Sequence, residues 1–338
     1  MKYVIVTDTH LGVKKGNSVY LRSSVELFDQ ICAYAHSKNI KGFIHAGDFF
    51  DTRKSISVDV IEISLDIMKK LEETFKFIYM IIGNHDTYLK NQIKPTSLSI
   101  FKEHKNVTLI DKPYLIDNML LLPWIFDKDA LNTNDTEICI GHFDINGIEM
   151  NASGFTPLHQ RLNISDFKNF NTVLSGHYHV SSQTKNIKYL GSPMQFTFNE
   201  INETTGFYIL DSETTELEFI EFDKYPKHII IKDIDDISDL DINNNNIKVV
   251  FTKDHGIDKN TRIISDIYLK NPNTVKVQYY NLNDTLTDDV IDEDISVKSK
   301  LDILFDFYDK SDLPVNIKHD ILQNIVKTLY KEIIGEKE

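Results

Sequence analysis

Short apolar runs recur from the amino terminus of the chain to about residue 222. Their lengths and their content of Val, Ile, Phe and Tyr are typical of buried β-strands. The runs are Tyr3–Val6, Gly42–His45, Phe77–Ile82, Val107–Ile110, Met119–Leu122, Ile138–Ile140, Val173–Leu174 and Phe207–Leu210. This part of the chain is therefore predicted to be rich in sheet.

Two segments between these runs carry apolar side chains at the three- and four-residue spacing of a helix. The first includes Val25, Phe28 and Ala35, and the second extends from Val60 to Leu71. Strands that first alternate with helices and then follow one another in quick succession favour a layered α/β fold. We predict a β-sandwich flanked by helices over residues 1–222.

The hydrophobic pattern changes after residue 222. Residues 247–252 and 274–280 have strand character, and 261–269 is a helix or an extended segment, which predicts a small α+β domain over 223–292. In residues 293–338 the apolar positions follow helical spacing, with Ile317, Ile321 and Ile325 four residues apart. This helical tail either docks on the main domain or binds a groove of another protein.

Composition narrows the class of protein. The 338 residues include 37 basic and 51 acidic side chains, a net charge of −14, which argues against a general nucleic-acid coat protein. Two cysteines, Cys32 and Cys139, exclude a disulfide scaffold and fit a reducing compartment. Because no apolar run approaches the length of a membrane span, and the first run ends at Asp8, we expect a cytoplasmic protein with no membrane association.

Polar side chains follow five of the predicted strands at the point where each strand ends. In four of these places a glycine directly precedes the polar residue. The carboxyl ends of strands in an open α/β sheet gather on one edge, and ligands bind there. The polar residues are Asp8, His10, Asp48, Asn84, His142, His177 and His179.

Taken singly, each of these residues is more typical of a turn, a helix cap or an exposed surface. Together they bring so many imidazoles and carboxylates to one edge that burying them without a cation would be costly. Imidazole, carboxylate and amide ligands without thiolate favour Mn, Fe, Zn or Ni. Seven donors exceed the needs of one ion and suit two ions that share a carboxylate. Two-metal sites clamp the oxygens of a phosphoryl transfer, so the sequence predicts hydrolysis of a phosphate ester.

Five sequence blocks resemble the signature of the calcineurin-like metallophosphoesterases. They are Asp8-x-His10, Gly47-Asp48, Gly83-Asn84-His85-Asp86, Gly141-His142 and Gly176-His177-x-His179. Three further segments are similar to the SbcD-type nucleases, which include the recombination endonuclease subunit of tailed bacteriophages. These segments are Asp8–Gly12, Gly47–Asp51 and Tyr189–Pro193.

The resemblance implies a role for each residue of these blocks. Asp8, His10 and His179 would hold one ion, Asn84, His142 and His177 the other, and Asp48 would bridge both. His85 would act on the scissile phosphate by stabilising charge or protonating the leaving oxygen. Asp51 and Asp86 would complete the catalytic set by orienting ligands, although Asp51 stands where some relatives carry histidine. The implied cofactors are two divalent ions, with Mn²⁺ expected and Mg²⁺ as the alternative.

The resemblance also implies a substrate and partners. DNA would be cleaved by double-strand exonuclease and single-strand endonuclease activities, in end processing, recombination and repair. An SbcC-type coiled-coil ATPase would bind the tail, the chain would form a homodimer, and residues 223–292 would be a capping and DNA-binding domain. A phage-encoded protein would act in the host cytoplasm. Despite the acidic total charge, loops near the metal ligands carry Lys14, Lys15, Arg53, Lys54, Lys90 and Lys94 as predicted DNA-binding residues.

Two other functions compete with this interpretation. The first is another phosphoesterase activity, on phosphoproteins or cyclic nucleotides; Asp86 argues against protein phosphatases, which usually carry Glu there. The second is a non-catalytic structural subunit, which the intact His85 and the full set of ligands disfavour. Cys139 lies beside the site in sequence and is interpreted as a small core residue.

Overall fold

The structure is a computed structural model. It describes residues 1–89, 91–132, 136–148, 162–232, 239–252 and 257–279. The predicted ATPase-binding tail lies outside these residues, as does Lys90.

Two six-stranded sheets form the main body of the chain. The first has the order β14-β13-β1-β2-β3-β4, and the second has the order β11-β12-β10-β7-β6-β5. The strands of the first sheet are β1 (Lys2–Val6), β2 (Gly42–His45), β3 (Phe77–Ile81), β4 (Val107–Ile110), β13 (Gly206–Asp211) and β14 (Leu217–Glu221). Those of the second are β5 (Tyr114–Ile116), β6 (Met119–Leu122), β7 (Ile138–His142), β10 (Thr172–Gly176), β11 (Ser182–Thr184) and β12 (Ile187–Tyr189). A separate two-stranded ladder joins β8 (Ile145–Asn146) and β9 (Leu162–Asn163).

The sheets pack face to face, which confirms the predicted sandwich. Strand β1 shows how the alternation of side chains places the core. Its Tyr3 and Ile5 join a buried cluster with Ile138 and Ile140 of the second sheet. Its Val4 and Val6 point to the other face and join the cluster that contains the helices. Cys139 is fully buried on the outer face of the second sheet, so its assignment as a core residue is confirmed.

Two long helices, Ser18–Lys38 and Val58–Thr74, cover the outer face of the first sheet. The α-helices are α1 (Val13–Gly16), α2 (Ser18–Lys38), α3 (Val58–Thr74) and α4 (Ile257–Leu269), and short 3₁₀ helices span Ser97–Phe101, Lys128–Leu131, Ile164–Phe167 and Phe198–Glu200. The Asn17 side chain begins α2 by accepting hydrogen bonds from the backbone N–H groups of Val19 and Tyr20. Both helices predicted from apolar spacing are present as α2 and α3. None of the helices within the described ranges combines the length and apolar character needed to cross a membrane. The cytoplasmic location stays a prediction.

A third, smaller sheet follows the sandwich in sequence. Its parallel strands are β15 (His228–Lys232), β16 (Asn246–Phe251) and β17 (Thr274–Tyr279), with α4 between the last two. Ile263 and Ile267 of α4 pack on Ile247 and Val249 in its core. The predicted strand, helix and strand of this α+β segment are therefore present. The domain limits at residues 222 and 292 stay predictions.

Parallel strands decide where the functional side chains meet. In the first sheet β1, β2 and β3 run parallel, and in the second β6, β7 and β10 do so. Because parallel strands end on the same edge, Asp8, Asp48 and Asn84 leave the first sheet together. His142 and His177 leave the second sheet in the same way. The two edges face each other across the candidate site.

Candidate metal centre

Sharp turns carry the ligand side chains off the strand ends. Asp8, His10, Asp48 and His177 have φ angles of 51°, 42°, 56° and 91°, in the left-handed region that non-glycine residues seldom adopt. The backbone N–H of Asp8 donates to the carbonyl of Gly47 at 3.0 Å, and that of His10 donates to the carbonyl of Asp48 at 3.2 Å. Strained backbone of this kind clusters at functional sites, where the surrounding structure holds it in place.

Two of the predicted glycines are required by close contacts. A Cβ atom on Gly47, whose φ is +102°, would lie 2.4 Å from Nδ1 of His142. A Cβ atom on Gly83 would lie 2.2 Å from Oδ1 of Asp48. Any side chain at either position would displace a predicted ligand, so glycine is needed for the backbone to approach the site.

The first group of donors consists of Asp8, His10 and His179. The two imidazole Nε2 atoms face each other at 3.1 Å. Oδ1 of Asp8 lies 3.8 Å from Nε2 of His10 and 4.0 Å from Nε2 of His179. One donor atom from each residue thus lies within 4.8 Å of the others. This is the set that the family resemblance assigns to the first ion.

The second group contains Asn84, His142 and His177. Oδ1 of Asn84 lies 3.0 Å from Nε2 of His142 and 3.1 Å from Nδ1 of His177. Asp48 stands between the two groups, since its Oδ2 is 3.3 Å from Nε2 of His142 and 3.8 Å from Nε2 of His10. The seven predicted ligands therefore converge, and Asp48 occupies the position that a bridging carboxylate requires.

Charge in this cluster shifts several pKa values. Burial alone would raise the pKa of Asp48, but the nearby charge and hydrogen bond of His142 hold it below its ordinary range. Burial opposes the positive charge of His142, yet Asp48 and Asp8 raise its pKa to about 9. For His177, burial and the charge of His142 lower the pKa to about 3. Asp48 is thus ionised at neutral pH, as a cation ligand must be.

The donor set fits divalent cations in a second respect. A ligating histidine usually donates its other ring N–H to an oxygen acceptor, which fixes the tautomer. His142 directs Nδ1 at the carbonyl of Ala46, 3.0 Å away, and His179 directs Nδ1 at Oε1 of Glu200, also 3.0 Å away. Nδ1 of His10 lies 3.5 Å from Oδ1 of Asp51. In each case Nε2 is left to face the cluster, so these residues are suited to hold two divalent ions.

The predicted catalytic histidine lies beside the first group. The His85 ring centroid is 4.9 Å from that of His10. Nδ1 of His85 donates to the backbone carbonyl of Asp51 at 2.6 Å, and its backbone N–H donates to Oδ1 of Asp48 at 2.7 Å. Burial lowers the pKa of His85. Asp51 therefore contacts two members of the site, through its carbonyl and its carboxylate.

Asp86 holds two of the ligand loops together. Its fully buried carboxylate accepts hydrogen bonds from the backbone N–H groups of Gly83, Asp48, Phe49 and Phe50, at 3.0, 2.9, 3.2 and 3.3 Å respectively. Burial and the charge of Asp48 raise its pKa to about 7, while these N–H groups favour the ionised form. This is the orienting position that the sequence assigns to Asp86.

Comparison with known proteins identifies the family of the chain. Residues 1–181, more than half of the chain, match the family described as Calcineurin-like phosphoesterase. The chain belongs to the calcineurin-like phosphoesterase family. The family expected from the five sequence blocks is thereby confirmed.

Three relatives of this phosphoesterase are named as nuclease subunits or as a DNA repair protein. Exonuclease subunit 1 of Enterobacteria phage T4 is 30% identical over 236 residues, covering 65% of this chain and 67% of the phage protein. The SbcD component of the SbcCD nuclease of Staphylococcus epidermidis is 26% identical and covers 64% and 67%. The DNA double-strand break repair protein Mre11 of Methanococcus maripaludis is 24% identical and covers 62% and 63%. The predicted similarity to SbcD-type nucleases is confirmed.

The basic residues of this phosphoesterase differ in their surroundings. Lys14, Lys15 and Lys54 are exposed, and Arg53 is half-buried and close enough to His85 for its charge to help lower the pKa of that residue, after burial. Lys94 forms an ion pair with Asp111, which leaves it less available to a phosphate. Their role in DNA binding stays a prediction.

Glu200 is a further residue of the site, which the sequence did not predict. Its carboxylate is buried and also accepts from the hydroxyl of Thr197 at 3.0 Å. Burial would raise the pKa of Glu200, but the hydrogen bond from His179 and its charge lower it. The local signal, Thr197-x-x-Glu200, is that of a helix capping box and reveals nothing about His179.

Replacing Glu200 with glutamine is expected to weaken Mn²⁺ binding by about 10- to 100-fold, the usual effect of losing the partner of a ligating histidine. Glutamine keeps the size and an acceptor oxygen but removes the negative charge that strengthens His179 as a ligand. Isothermal titration with Mn²⁺ measures the change. Glu203→Gln is the matched control, because Glu203 lies nearby and forms no hydrogen bond or ion pair with the ligands within the described part of the chain. Equal affinity in the Glu200 variant and the wild type would contradict the assignment.

Proposed function

We propose that this phosphoesterase hydrolyses the phosphodiester bonds of DNA with two divalent ions, as the nuclease subunit of an ATPase–nuclease complex. The convergence of Asp8, His10, His179, Asn84, His142 and His177 around Asp48 carries the proposal. The names of the relatives, an exonuclease subunit, a nuclease subunit and a double-strand break repair protein, favour DNA as the substrate. The same names support a role in DNA repair and recombination.

The hydrogen bonds of the site indicate the role of each residue in the reaction. Two divalent cations held by these seven residues would supply charge neutralisation for the phosphate and would activate a water molecule for in-line attack. His85 keeps Nδ1–H on the Asp51 carbonyl, so Nε2–H of its protonated form is the proton available to the leaving oxygen. Because burial lowers the pKa of His85, its protonated form is a stronger acid but the minor form at neutral pH. Asp51, Asp86 and Glu200 position these groups and do not touch the substrate.

Positive charge near the site supports a nucleic-acid substrate. Lys248 on β16 and Lys276 on β17 stand directly opposite each other in the third sheet. Their Nζ atoms lie 6.0 and 5.9 Å from the ring centroid of Phe198, two residues before Glu200. A phosphate backbone lying along this face would interact favourably with both ammonium groups. The third sheet is thus proposed to contribute to DNA binding, together with Lys14, Lys15, Arg53 and Lys54.

A nuclease assay separates this function from its alternatives. Full-length protein is incubated with Mn²⁺ or Mg²⁺ and with three substrates: an end-labelled blunt duplex, a closed single-stranded circle and a phosphopeptide. We expect exonuclease products from the duplex, endonuclease products from the circle, higher rates with Mn²⁺, and no release of phosphate from the peptide. Phosphopeptide hydrolysis without DNA cleavage would instead support a protein phosphatase, and inactivity on all three a structural subunit.

The ATPase partner is proposed to bind the tail. The relative SbcD is named as a component of the SbcCD nuclease, and residues 293–338 of this chain carry an apolar stripe from Ile317 to Ile333 that needs a partner surface.

A homodimer is also proposed. Its candidate surfaces are the stretches near 60–71 and 86–101, where Leu65, Tyr88 and Ile100 are exposed apolar residues.

Deleting residues 298–338 is expected to abolish co-purification with the SbcC-type ATPase, because the apolar stripe is lost. Mn²⁺-dependent cleavage of short single strands should remain, since every ligand lies before residue 180. Affinity pull-down and a cleavage assay on the same preparations test both statements. Removing only residues 335–338 is the control, because it leaves the stripe intact. Retained co-purification after the larger deletion would contradict binding of the ATPase to the tail.

A further inference from the structure

Trp124, the one tryptophan of the chain, lies at the edge of the metal centre. It follows β6, and its backbone N–H donates to the carbonyl of Ile82, just past the end of β3, at 2.8 Å. This bond places Trp124 where the strand ends of both sheets meet. Its ring centroid is 5.0 Å from that of His177 and 6.0 Å from that of His142.

Trp124 is half-buried, as is Ile125 next to it. Leu122 and Phe126 on either side are buried in the core of the second sheet. Trp124 instead begins a row of rings that continues through His177 and Tyr178 to Tyr189, with centroid separations of 5.0, 5.1 and 4.3 Å. Trp124 therefore packs against other rings and remains partly exposed beside the metal centre.

Trp124 and the predicted acid contact different ligand groups. Trp124 contacts His142 and His177, whereas His85 contacts His10. A phosphodiester centred on the ligands extends one nucleoside to each side of its phosphorus atom. The nucleoside on the side of His142 and His177 would then lie next to the half-buried Trp124.

We infer that Trp124 is the platform on which the base next to the scissile phosphate stacks. The inference rests on the proposed function and adds a binding determinant to it. Stacking on an aromatic ring tolerates every base, because each base has a π face, and it requires that the base be unpaired. Trp124 would thus hold an unpaired nucleotide in place over the metal ligands without selecting a sequence. The competing role is a packing wall that only orients His177.

Two substrates distinguish these roles: a single-stranded dT oligomer and an oligomer of the same length with abasic tetrahydrofuran residues. Values of kcat/KM in Mn²⁺ are compared for wild type, Trp124→Leu, Trp124→Phe and Phe219→Leu. We expect the wild type to prefer dT, and Trp124→Leu to lose roughly 5- to 150-fold on dT, the range that base–aromatic stacking spans. The loss on the abasic strand should be no more than about threefold, and Trp124→Phe should retain most of the preference, since each base still stacks on a ring. Phe219 is a partly exposed aromatic residue on β14, and its variant should match the wild type.

The other kinetic outcomes contradict either the stacking inference or the proposed function. An equal loss on both strands in Trp124→Leu would assign Trp124 to packing and overturn the inference, as would a wild type without preference for dT. If the wild type cleaves neither strand, the proposed function itself fails.

Fluorescence gives a second readout, because Trp124 is the only indole. In the slow His85→Ala background the dT oligomer should quench the emission and the abasic oligomer should not. Equal quenching by both oligomers would contradict stacking.

Discussion

Replacing Asp48 with alanine is expected to remove both divalent ions and to reduce Mn²⁺-dependent cleavage to background. The physical reason is the central place of its carboxylate, whose Oδ2 is 3.3 Å from His142 and 3.8 Å from His10. No other carboxylate among the described residues lies within 4.0 Å of both of these imidazoles except Asp8, whose Oδ1 is 3.8 Å from His10 and 3.9 Å from His142. Asp8 alone supplies too little negative charge for two divalent ions. Titration calorimetry and the metal content of the purified protein measure the loss.

Two further variants make the Asp48 result interpretable. Asp48→Asn keeps the shape and the acceptor for the His85 N–H, so it should fold even where the alanine variant does not, and it should still lose both ions. Asp29→Asn is the matched control, because Asp29 pairs with Lys70 on the surface and should leave metal binding unchanged. A full pair of ions in Asp48→Asn, seen by anomalous scattering, would refute the bridging role.

Replacing His85 with alanine is expected to leave both ions bound and to slow cleavage by about 10²- to 10⁴-fold, the range for a general acid. The backbone N–H of His85 still reaches Asp48 in this variant, so the ligand loop should keep its shape. Only the imidazole, held by the Asp51 carbonyl, is removed. Single-turnover cleavage of a labelled strand and Mn²⁺ titration measure the two effects separately.

The control for His85 is His104→Ala, since His104 pairs with Glu72 away from the metal centre and its loss should not slow cleavage. A His85 variant that cleaves at the wild-type rate would exclude a role as proton donor. Loss of the ions in this variant would assign His85 to metal binding instead. The pair of measurements therefore separates chemistry from ligand binding.

Local sequence patterns predicted much of the fold. All eight apolar runs form strands whose ends agree within two residues, because a buried strand is dictated by its own consecutive side chains. Among the strands that were missed, β5, β8, β9, β11, β12 and β14 are short or partly polar. Ser182 and Thr184 of β11, for example, are in a strand because they pair with Tyr189 and Ile187 of β12. Such strands depend on their neighbours more than on their own sequence.

The sequence by itself determined the strand ends, their glycines and the donor residues, since each lies within a few positions of the strand that carries it. Only the tertiary structure decided how those donors are supported. Glu200 reaches His179 across 21 positions, Tyr178 reaches Asp144 across 34, and Trp124 meets His177 because β6 and β10 end on the same edge of the second sheet. Contacts of this kind arise from the order of strands within a sheet and from the approach of the two sheets, and no local pattern of residues encodes either.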